Sequence, residues 1–370
     1  MKLKIETIDS HMHLEKWFDE VGRNYFDIFD SVQEITGAKA LCINAMPITR
    51  GVENNIMAAF YKIHNPTAYA NAGFVYPEFP SVVPFPLGLD SLTQYKELMD
   101  IGFDGFKIIY KTNYQNRIGI NINSEFYEDF FAQAEKNNIN ILWHLADPED
   151  CWYENGVHKD SNKYLSNKEM FAHTIDVLER HPDLNVTFAH FMFLSNYPDV
   201  LEKIFDKYKN VSVDITPGAE MYVAFTKNRE YFRNFFTKYS DRIIFGSDNQ
   251  LPWDEEAHYY FRQFDERVVY GSKSELSPSA ISSDVFITAI YDAIASGKDD
   301  IDMLRLKVKG LNLSQDICEK ILSKNYINKC HGAPKKINVD ALKKYIEKYE
   351  KYIWSPENKN LILRYIKTLR

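Results

Sequence analysis

Two histidines near the start of the chain have a spacing that suits a shared metal ion. His11 and His13 are separated by one residue and follow an apolar lead-in that contains Leu3, Ile5 and Ile8. Alternate side chains of a β-strand project to the same face, so both imidazoles would point to one side. Imidazole is a ligand for zinc, iron, copper and nickel. The plain alternative is a pair of surface histidines near a frayed terminus, and the rest of the chain must decide.

Four further polar side chains lie in or directly after later apolar runs. His144 and His190 each lie near the end of such a run, Asp248 follows another at once, and Lys107 lies in a fourth. The remaining six of the ten histidines fall in predicted helices, loops or caps. A lone histidine on an apolar run is usually a core group, but this combination favours a common site.

The elements that would position these groups form a regular series. The predicted strands cover 8–13, 38–45, 68–75, 105–110, 139–145, 185–191, 211–215 and 242–246. The predicted helices between them cover 24–36, 52–63, 90–100, 124–137, 166–180, 198–208 and 228–239. Strands rich in Val, Ile and Phe fit a parallel sheet that is buried on both faces. The alternation predicts an α/β protein with a TIM (β/α)8 barrel, whose sites lie at the C-terminal ends of the strands.

The chain beyond the predicted barrel reads differently. From about 254 to 370 we expect no further strong strand, with helices at 278–296 and 313–322. A last helix carries apolar residues at helical spacing between 342 and 353. We expect these additional helices to pack on the outside of the barrel or on a neighbouring subunit, which makes a homo-oligomer an expectation.

Length, charge and cysteine content restrict the class of protein. A barrel with additions accommodates 370 residues in one unit. The net charge of −8 argues against a nucleic-acid or membrane-surface binder and leaves room for a small-molecule substrate. Four widely spaced cysteines give no disulfide framework. With no signal-peptide pattern and no run of 18 apolar residues, we expect a cytoplasmic protein.

The order of the candidate groups resembles a known family. His-x-His, then His, His and Asp at barrel-strand ends is similar to the amidohydrolase superfamily of metal-dependent hydrolases. The local sequence resembles the amidohydrolase-2 branch that includes aminocarboxymuconate-semialdehyde decarboxylase. The resemblance rests on RHPDL at 180–184 with VTFAH at 186–190, on DRIIFGSD at 241–248, and on the closing helix at 317–327.

The resemblance covers most of residues 5–332. It implies a metal-dependent hydrolase barrel over 1–332 and leaves 333–370 as a C-terminal helical extension on the barrel or a partner subunit. Asn249 and Gln250 stand where an aromatic residue and a proline are more usual after the aspartate. That departure bears on the identity of the substrate more than on metal binding.

The resemblance also implies roles for the candidate groups. His11, His13, His144 and Asp248 would hold one divalent ion, with zinc the first expectation, in the open arrangement of a catalytic site. The ion would lower the pKa of its water to about 7, and Asp248 would also act as general base. His190 would be either a second-metal ligand or the group that polarises a substrate carbonyl, and the decarboxylase-like members favour the catalytic role.

Lys107 allows two interpretations. Phe106-Lys107 loosely resembles the Phe-Lys of the hydantoinase and dihydroorotase branch, in which a carboxylated lysine bridges two ions. A buried lysine is costly unless its charge is removed or paired. Alternatively, Lys107 is a cation at the barrel mouth. The choice decides between one metal ion and two.

Substrate contacts are signalled weakly. Arg50 could clamp a carboxylate, and Trp143 and Trp253 could line the wall of the substrate pocket. The preferred function is a metal-dependent hydrolase of a small carboxylated, lactone or amide substrate. A nonoxidative decarboxylase with the same metal site is the alternative enzyme, and a catalytically silent binding barrel is the alternative of another class.

Overall fold

The computed structural model describes most of the chain. The described residues are 3–14, 25–46, 51–76, 90–112, 115, 118–149, 164–217, 219–251, 283–303, 306–353 and 356–369. Two of the predicted substrate-binding residues, Arg50 and Trp253, lie outside these ranges.

A parallel barrel forms the centre of the molecule. Its strands are β1 (Ile8–Leu14), β2 (Ala40–Asn44), β3 (Tyr69–Gly73), β4 (Gly105–Tyr110), β5 (Asn140–Leu145), β6 (Val186–Phe188), β7 (Val211–Asp214), β8 (Ile243–Ile244) and β9 (Asn249–Leu251). They lie in the order β8-β7-β6-β5-β4-β3-β2-β1-β9, and every described pairing in this sheet is parallel. The predicted TIM barrel is therefore confirmed.

The eighth strand position is divided between β8 and β9. β8 pairs with β7, whereas β9 pairs with β1. Between them, the backbone N–H of Ser10 donates to the carbonyl of Phe245 at 3.2 Å, and that of Asp248 donates to the carbonyl of His11 at 2.7 Å. These bonds close the barrel at the point where the first and last strands meet. The sequence predicted one strand here and not this interruption.

Helices surround the barrel largely as predicted. They are α1 (Tyr25–Thr36), α2 (Gly51–His64), α3 (Ser91–Ile101), α4 (Glu125–Lys136), α5 (Asn167–Arg180), α6 (Pro198–Lys207), α7 (Ala219–Lys227), α8 (Arg229–Lys238) and α9 (Ser283–Ala295). α7 was not predicted. Within the described ranges, no helix combines the length and the apolar character needed to cross a membrane.

Local capping accounts for the ends of two of these helices. At the start of α3, the Asp90 carboxylate accepts from the backbone N–H of Thr93 at 2.6 Å. Gly102 ends α3 with φ of 102°, a left-handed conformation that glycine adopts without steric cost. α5 begins with a reciprocal capping box between Ser166 and Glu169.

The C-terminal region contains one feature that contradicts the sequence expectation. β10 (Ile301–Met303) and β11 (Leu306–Val308) form a short antiparallel pair, although no further strand was predicted beyond residue 254. Three-residue strands show too little alternation to be recognised. The remaining elements are α10 (Gln315–Glu319), a π-helical segment (Lys320–Lys324), α11 (Asn325–Lys329), α12 (Val339–Tyr349) and α13 (Pro356–Thr368).

The last two helices pack on the barrel's outer layer. α12 contacts α2 and α3, with Leu342 fully buried and the Tyr349 hydroxyl donating to Glu97 at 2.8 Å. On α13, the ring of Tyr365 lies 4.4 Å from that of Phe60 on α2. Both terminal helices thus contact helices of the barrel's outer layer.

Candidate metal centre

β1 brings His11 and His13 together as their spacing predicts. Their Nε2 atoms lie 3.1 Å apart, and both side chains are almost completely buried. The register between β1 and β2 shifts between Asp9 and Met12, an irregularity of the type that re-aims side chains next to functional sites. The two imidazoles are thus directed at one point at the end of the strand.

The Nδ1 atoms of His11 and His13 face groups that can only accept hydrogen bonds. Nδ1 of His11 lies 2.8 Å from the carboxylate of Asp214, and Nδ1 of His13 lies 2.8 Å from the backbone carbonyl of Asn44. Each Nδ1 therefore carries the hydrogen. Burial lowers the pKa of His11 to about 4, so its ring is neutral near pH 7. Its Nε2 then presents a lone pair towards the other imidazole.

Asp248 completes a cluster of three electron-pair donors. Its Oδ1 lies 3.3 Å from Nε2 of His11 and 3.1 Å from Nε2 of His13, while its Oδ2 lies 3.7 Å from Nε2 of His190. With φ of 55°, Asp248 occupies a left-handed conformation at the interruption between β8 and β9.

These donor atoms fit a divalent cation. The ligand atoms of His11, His13 and Asp248 all lie within 4.8 Å of one another. Two bare imidazole nitrogens and a carboxylate oxygen have no hydrogen to share, so their close approach is favourable only around a cation or an external proton donor. The structure thus brings the predicted histidine pair and aspartate together.

His190 and His144 extend the cluster on the side of β5 and β6. Nδ1 of His190 lies 3.0 Å from the hydroxyl of Thr216, and its Nε2 lies 3.2 Å from Nδ1 of His144. Nε2 of His144 faces the carbonyl of Ala146 at 3.2 Å. Burial lowers the pKa of both histidines, which keeps them neutral. His144 therefore contacts His190, and it is His190 that approaches the carboxylate of Asp248.

Lys107 lies inside the same cavity. It is 1% exposed, and its Nζ lies 2.8 Å from Nε2 of His11. Burial lowers its pKa to about 8. An ammonium at this distance donates to the Nε2 lone pair, in agreement with a hydrogen on Nδ1 of His11. The amine is thus close enough to interact with a metal or with its ligands.

Gly246 permits the close approach of the first and last strands. A Cβ atom at this position would lie 2.8 Å from Cβ of His11 and 2.8 Å from Cγ2 of Thr216. Contacts this short are not tolerated between real side chains, so a larger residue would displace both neighbours. The glycine of the segment 241–248 thus has a direct part in the geometry of the centre.

Sequence reasoning missed three groups of the site. Asp214 ends β7 and is fully buried, and Thr216 follows it. Phe193 lies in the turn after β6, where its ring stacks on His190 with centroids 5.1 Å apart and approaches His144 at 5.6 Å. Asp214 could have been found by the strand-end rule, because β7 also ends with a polar residue.

One predicted substrate contact is wrong. Trp143 is completely buried, with its ring 5.6 Å from that of Phe131 on α4 and 5.4 Å from that of Phe188 on β6. Because side chains alternate along β5, the strand that directs His144 into the barrel directs Trp143 outward. Trp143 therefore packs in the core between sheet and helix.

Comparisons of the sequence with known proteins found no relative. No protein-family model matches the chain, and no curated protein matches it.

Comparison with solved structures does find proteins of this fold. A 2,6-dihydroxybenzoate decarboxylase from Rhizobium matches at 12% identity and a TM-score of 0.51, covering 90% of this chain and 99% of that one. A candidate amidohydrolase from Staphylococcus aureus matches at 13% identity and 0.50, covering 88% and 100%. A dihydroxybenzoic acid decarboxylase from Polaromonas, solved with manganese and 2-nitroresorcinol, matches at 11% and 0.51, covering 88% and 97%. These likenesses establish a shared fold with the types of protein that the sequence resembles.

Proposed function

We propose that this chain is a metal-dependent enzyme of the amidohydrolase superfamily, in its decarboxylase-like branch. The preferred reaction is hydrolysis of a small carboxylated, lactone or amide substrate, with one zinc ion as the first candidate cofactor. The observation that carries the proposal is the convergence of Nε2 of His11, Nε2 of His13 and Oδ1 of Asp248 within 3.1–3.3 Å. A silent binding barrel would have no need for this buried, convergent set of donors.

The residues of the centre would have different roles in the hydrolysis. A divalent ion held by His11, His13 and Asp248 would supply Lewis acidity and a hydroxide near neutral pH. His144, the fourth predicted ligand, would join them only by leaving its contacts with His190 and the Ala146 carbonyl. Oδ1 of Asp248 faces the histidine pair while Oδ2 faces His190. One oxygen can therefore bind the ion while the other takes up a proton from the attacking water. Asp248 would then pass that proton to the leaving group, while His190 would polarise the substrate carbonyl.

Lys107 keeps both of its interpretations. A neutral amine is the form that carboxylation requires, and the lowered pKa of Lys107 makes that form accessible near pH 8. As a cation, the same group would bind a substrate carboxylate next to the histidine pair. Arg50 and Trp253 stay candidates for substrate binding, and a cytoplasmic location and a homo-oligomer stay predictions.

The test begins with metal-free protein prepared with a chelator. Zinc and manganese are added back separately, and acid release is followed over a panel of lactones, amides and carboxylated substrates. We expect metal-dependent acid release that Asp248→Asn abolishes while the variant stays folded. Full activity of the metal-free protein, or of Asp248→Asn, would contradict the proposal. Mass spectrometry of the intact protein would detect carboxylation of Lys107.

Nonoxidative decarboxylation is the second candidate. Two of the proteins that share the fold are named as decarboxylases, and one of them was solved with manganese. In that reaction the ion and Lys107 would bind the substrate's carboxylate and its neighbouring oxygen, and no attacking water is needed. Release of CO2 from aromatic or unsaturated carboxylates, without acid release from the lactone and amide panel, would select this reaction over hydrolysis.

A further inference from the structure

Asp214 connects two parts of the centre that come from different strands of the barrel, β1 and the turn after β6. Its Oδ2 accepts from Nδ1–H of His11 at 2.8 Å. Its Oδ1 accepts from the backbone N–H of His190 at 2.7 Å, from the backbone N–H of Thr216 at 3.1 Å, and from the Thr216 hydroxyl at 2.5 Å. The carboxylate is completely buried, so all four donors are satisfied without solvent.

We propose that Asp214 is a positioning residue that fixes the tautomer of His11 and at the same time anchors the turn that carries His190. Its relevance to metal binding rests on the proposed function. Asp214 does not reach the reacting atoms, because the ring of His11 lies between its carboxylate and the donor cluster.

The tautomer of His11 is a genuine choice in this site. A hydrogen on Nε2 would find acceptors in Oδ1 of Asp248 at 3.3 Å and in the lone pair of His13 at 3.1 Å. A hydrogen on Nδ1 finds Asp214 at 2.8 Å. Only the second arrangement leaves Nε2 free to bind a cation. The Nδ1–H arrangement has the shorter hydrogen bond, and the Lys107 ammonium donates to Nε2 at 2.8 Å, so Asp214 and Lys107 together favour Nδ1–H.

The substitution Asp214→Asn separates the control of the His11 tautomer from the anchoring of the turn that carries His190. Three donors surround the Oδ1 position and one faces Oδ2, so the amide oxygen would take the Oδ1 position and the NH2 group would face His11. An NH2 group donates, so Nδ1 loses its acceptor and the hydrogen of His11 moves to Nε2, where Lys107 can accept it as the neutral amine. The bond to the His190 backbone survives. His13 serves as an internal control, because its Nδ1–H is held by the backbone carbonyl of Asn44.

The experiment uses full-length protein labelled with 15N-histidine and freed of metal. Long-range 1H–15N correlations report the tautomer of each ring, and the His11 signals are assigned by their loss in His11→Asn. We expect His11 and His13 as Nδ1–H in the wild type. In Asp214→Asn, His11 changes to Nε2–H while His13 does not. Because a group that orients a metal-binding histidine usually contributes about 10–100-fold to metal affinity, we expect Co2+ binding to weaken by that factor.

A second variant tests the anchoring of the turn. Asp214→Ala removes both carboxylate oxygens and leaves the backbone N–H of His190 only the longer contact to the Thr216 hydroxyl at 3.3 Å. That N–H should therefore exchange with solvent faster, whereas Asp214→Asn should preserve its protection. Equal exchange in both variants would overturn the anchoring role. Finding His11 as Nε2–H in the wild type, or unchanged in Asp214→Asn, would overturn the tautomer role. If the tautomers behave as expected but the wild type binds no Co2+, the proposed function fails and the positioning role of Asp214 stands.

Discussion

His11 and His13 use different kinds of group to reach the same orientation. The backbone carbonyl of Asn44 holds His13, and no side-chain substitution can alter that acceptor. The carboxylate of Asp214 holds His11 and also carries a charge. The two ligands of one pair therefore differ in how sensitive they are to changes in their surroundings, with His11 the more sensitive.

Replacing either histidine of the pair should abolish metal binding. We expect His11→Asn and His13→Asn to lower the metal content, measured by elemental analysis after dialysis, from about one ion per chain to near zero, because each removes one of a minimal set of ligands. His64→Asn is the matched control, since His64 lies on α2 and pairs with Asp30 away from the centre. Retention of metal in both site variants would contradict the assignment of ligands.

Burial of His11 predicts a specific dependence of stability on pH. Its pKa is about 4 in the folded chain and 6.5 when exposed, so the unfolded chain binds the extra proton between these values. Stability therefore falls as pH drops below 6.5. In metal-free protein we expect the free energy of unfolding of the wild type to fall by about 2 kcal/mol relative to His11→Asn between pH 7 and pH 5. Parallel pH profiles of the two proteins would contradict a buried, neutral His11.

The residues of the site were predictable to different extents. His11, His13 and Asp248 follow from residue type and position at strand ends. The partnership of Asp214 with His11 depends on how β7 and β1 approach each other across the barrel, which spacing within one strand cannot indicate. Trp143 was misassigned because its neighbour His144 marks the strand end, while the strand's alternation sends the two side chains to opposite faces.

At the scale of elements, the site lies next to residues that directly follow a strand and have a left-handed backbone conformation. Ala146 follows β5 with φ of 66°, and the four residues His190–Phe193 follow β6 with φ between 52° and 59°. None is glycine, and each such residue costs about 1–2 kcal/mol relative to a right-handed conformation. Such strain persists where the surrounding contacts determine the conformation, and it is common at functional sites. Here it turns His190 and Phe193 towards the cavity.

The strain at Ala146 can be measured with a matched pair of substitutions. Ala146 and Ala134 are both completely buried, but Ala134 lies in the regular helix α4. Replacement by glycine removes the same methyl group and adds the same freedom to the unfolded chain. Because glycine also relieves the left-handed cost, Ala146→Gly should be at least about 1 kcal/mol less destabilising than Ala134→Gly in urea unfolding. Equal losses would mean that the backbone at Ala146 is unstrained.

Elements with strong periodicity were predicted well, and short ones were not. The helices α4 and α5 differ from the predicted ranges by one residue at one end or both ends. β9, β10 and β11 were missed, because each has three residues and depends on pairing with a partner elsewhere in the fold. The division between β8 and β9 likewise arises from closure against β1.

At the scale of the whole molecule, the centre lies on the seam that closes the barrel. The first strand supplies His11 and His13, and the divided last strand supplies Asp248, whose backbone N–H donates to the carbonyl of His11. Gly246 allows this approach, and Asp214 joins the first strand to the turn after β6. A cation at this position would therefore link the first strand of the barrel to the last. Binding and global stability should be coupled.

This coupling predicts that metal raises the stability of the entire barrel through Asp248. A ligand present at 100 times its Kd and bound only by the folded state adds about 2.7 kcal/mol. For a chain of this size, that corresponds to an increase in Tm of several degrees, which should be visible by calorimetry on adding Zn2+ to chelator-treated protein. In Asp248→Asn the increase should disappear even though His11 and His13 remain, because the neutral amide no longer joins the last strand to the ion. If this variant gains as much as the wild type, the ion is held by the first strand alone and the barrel closes independently of it.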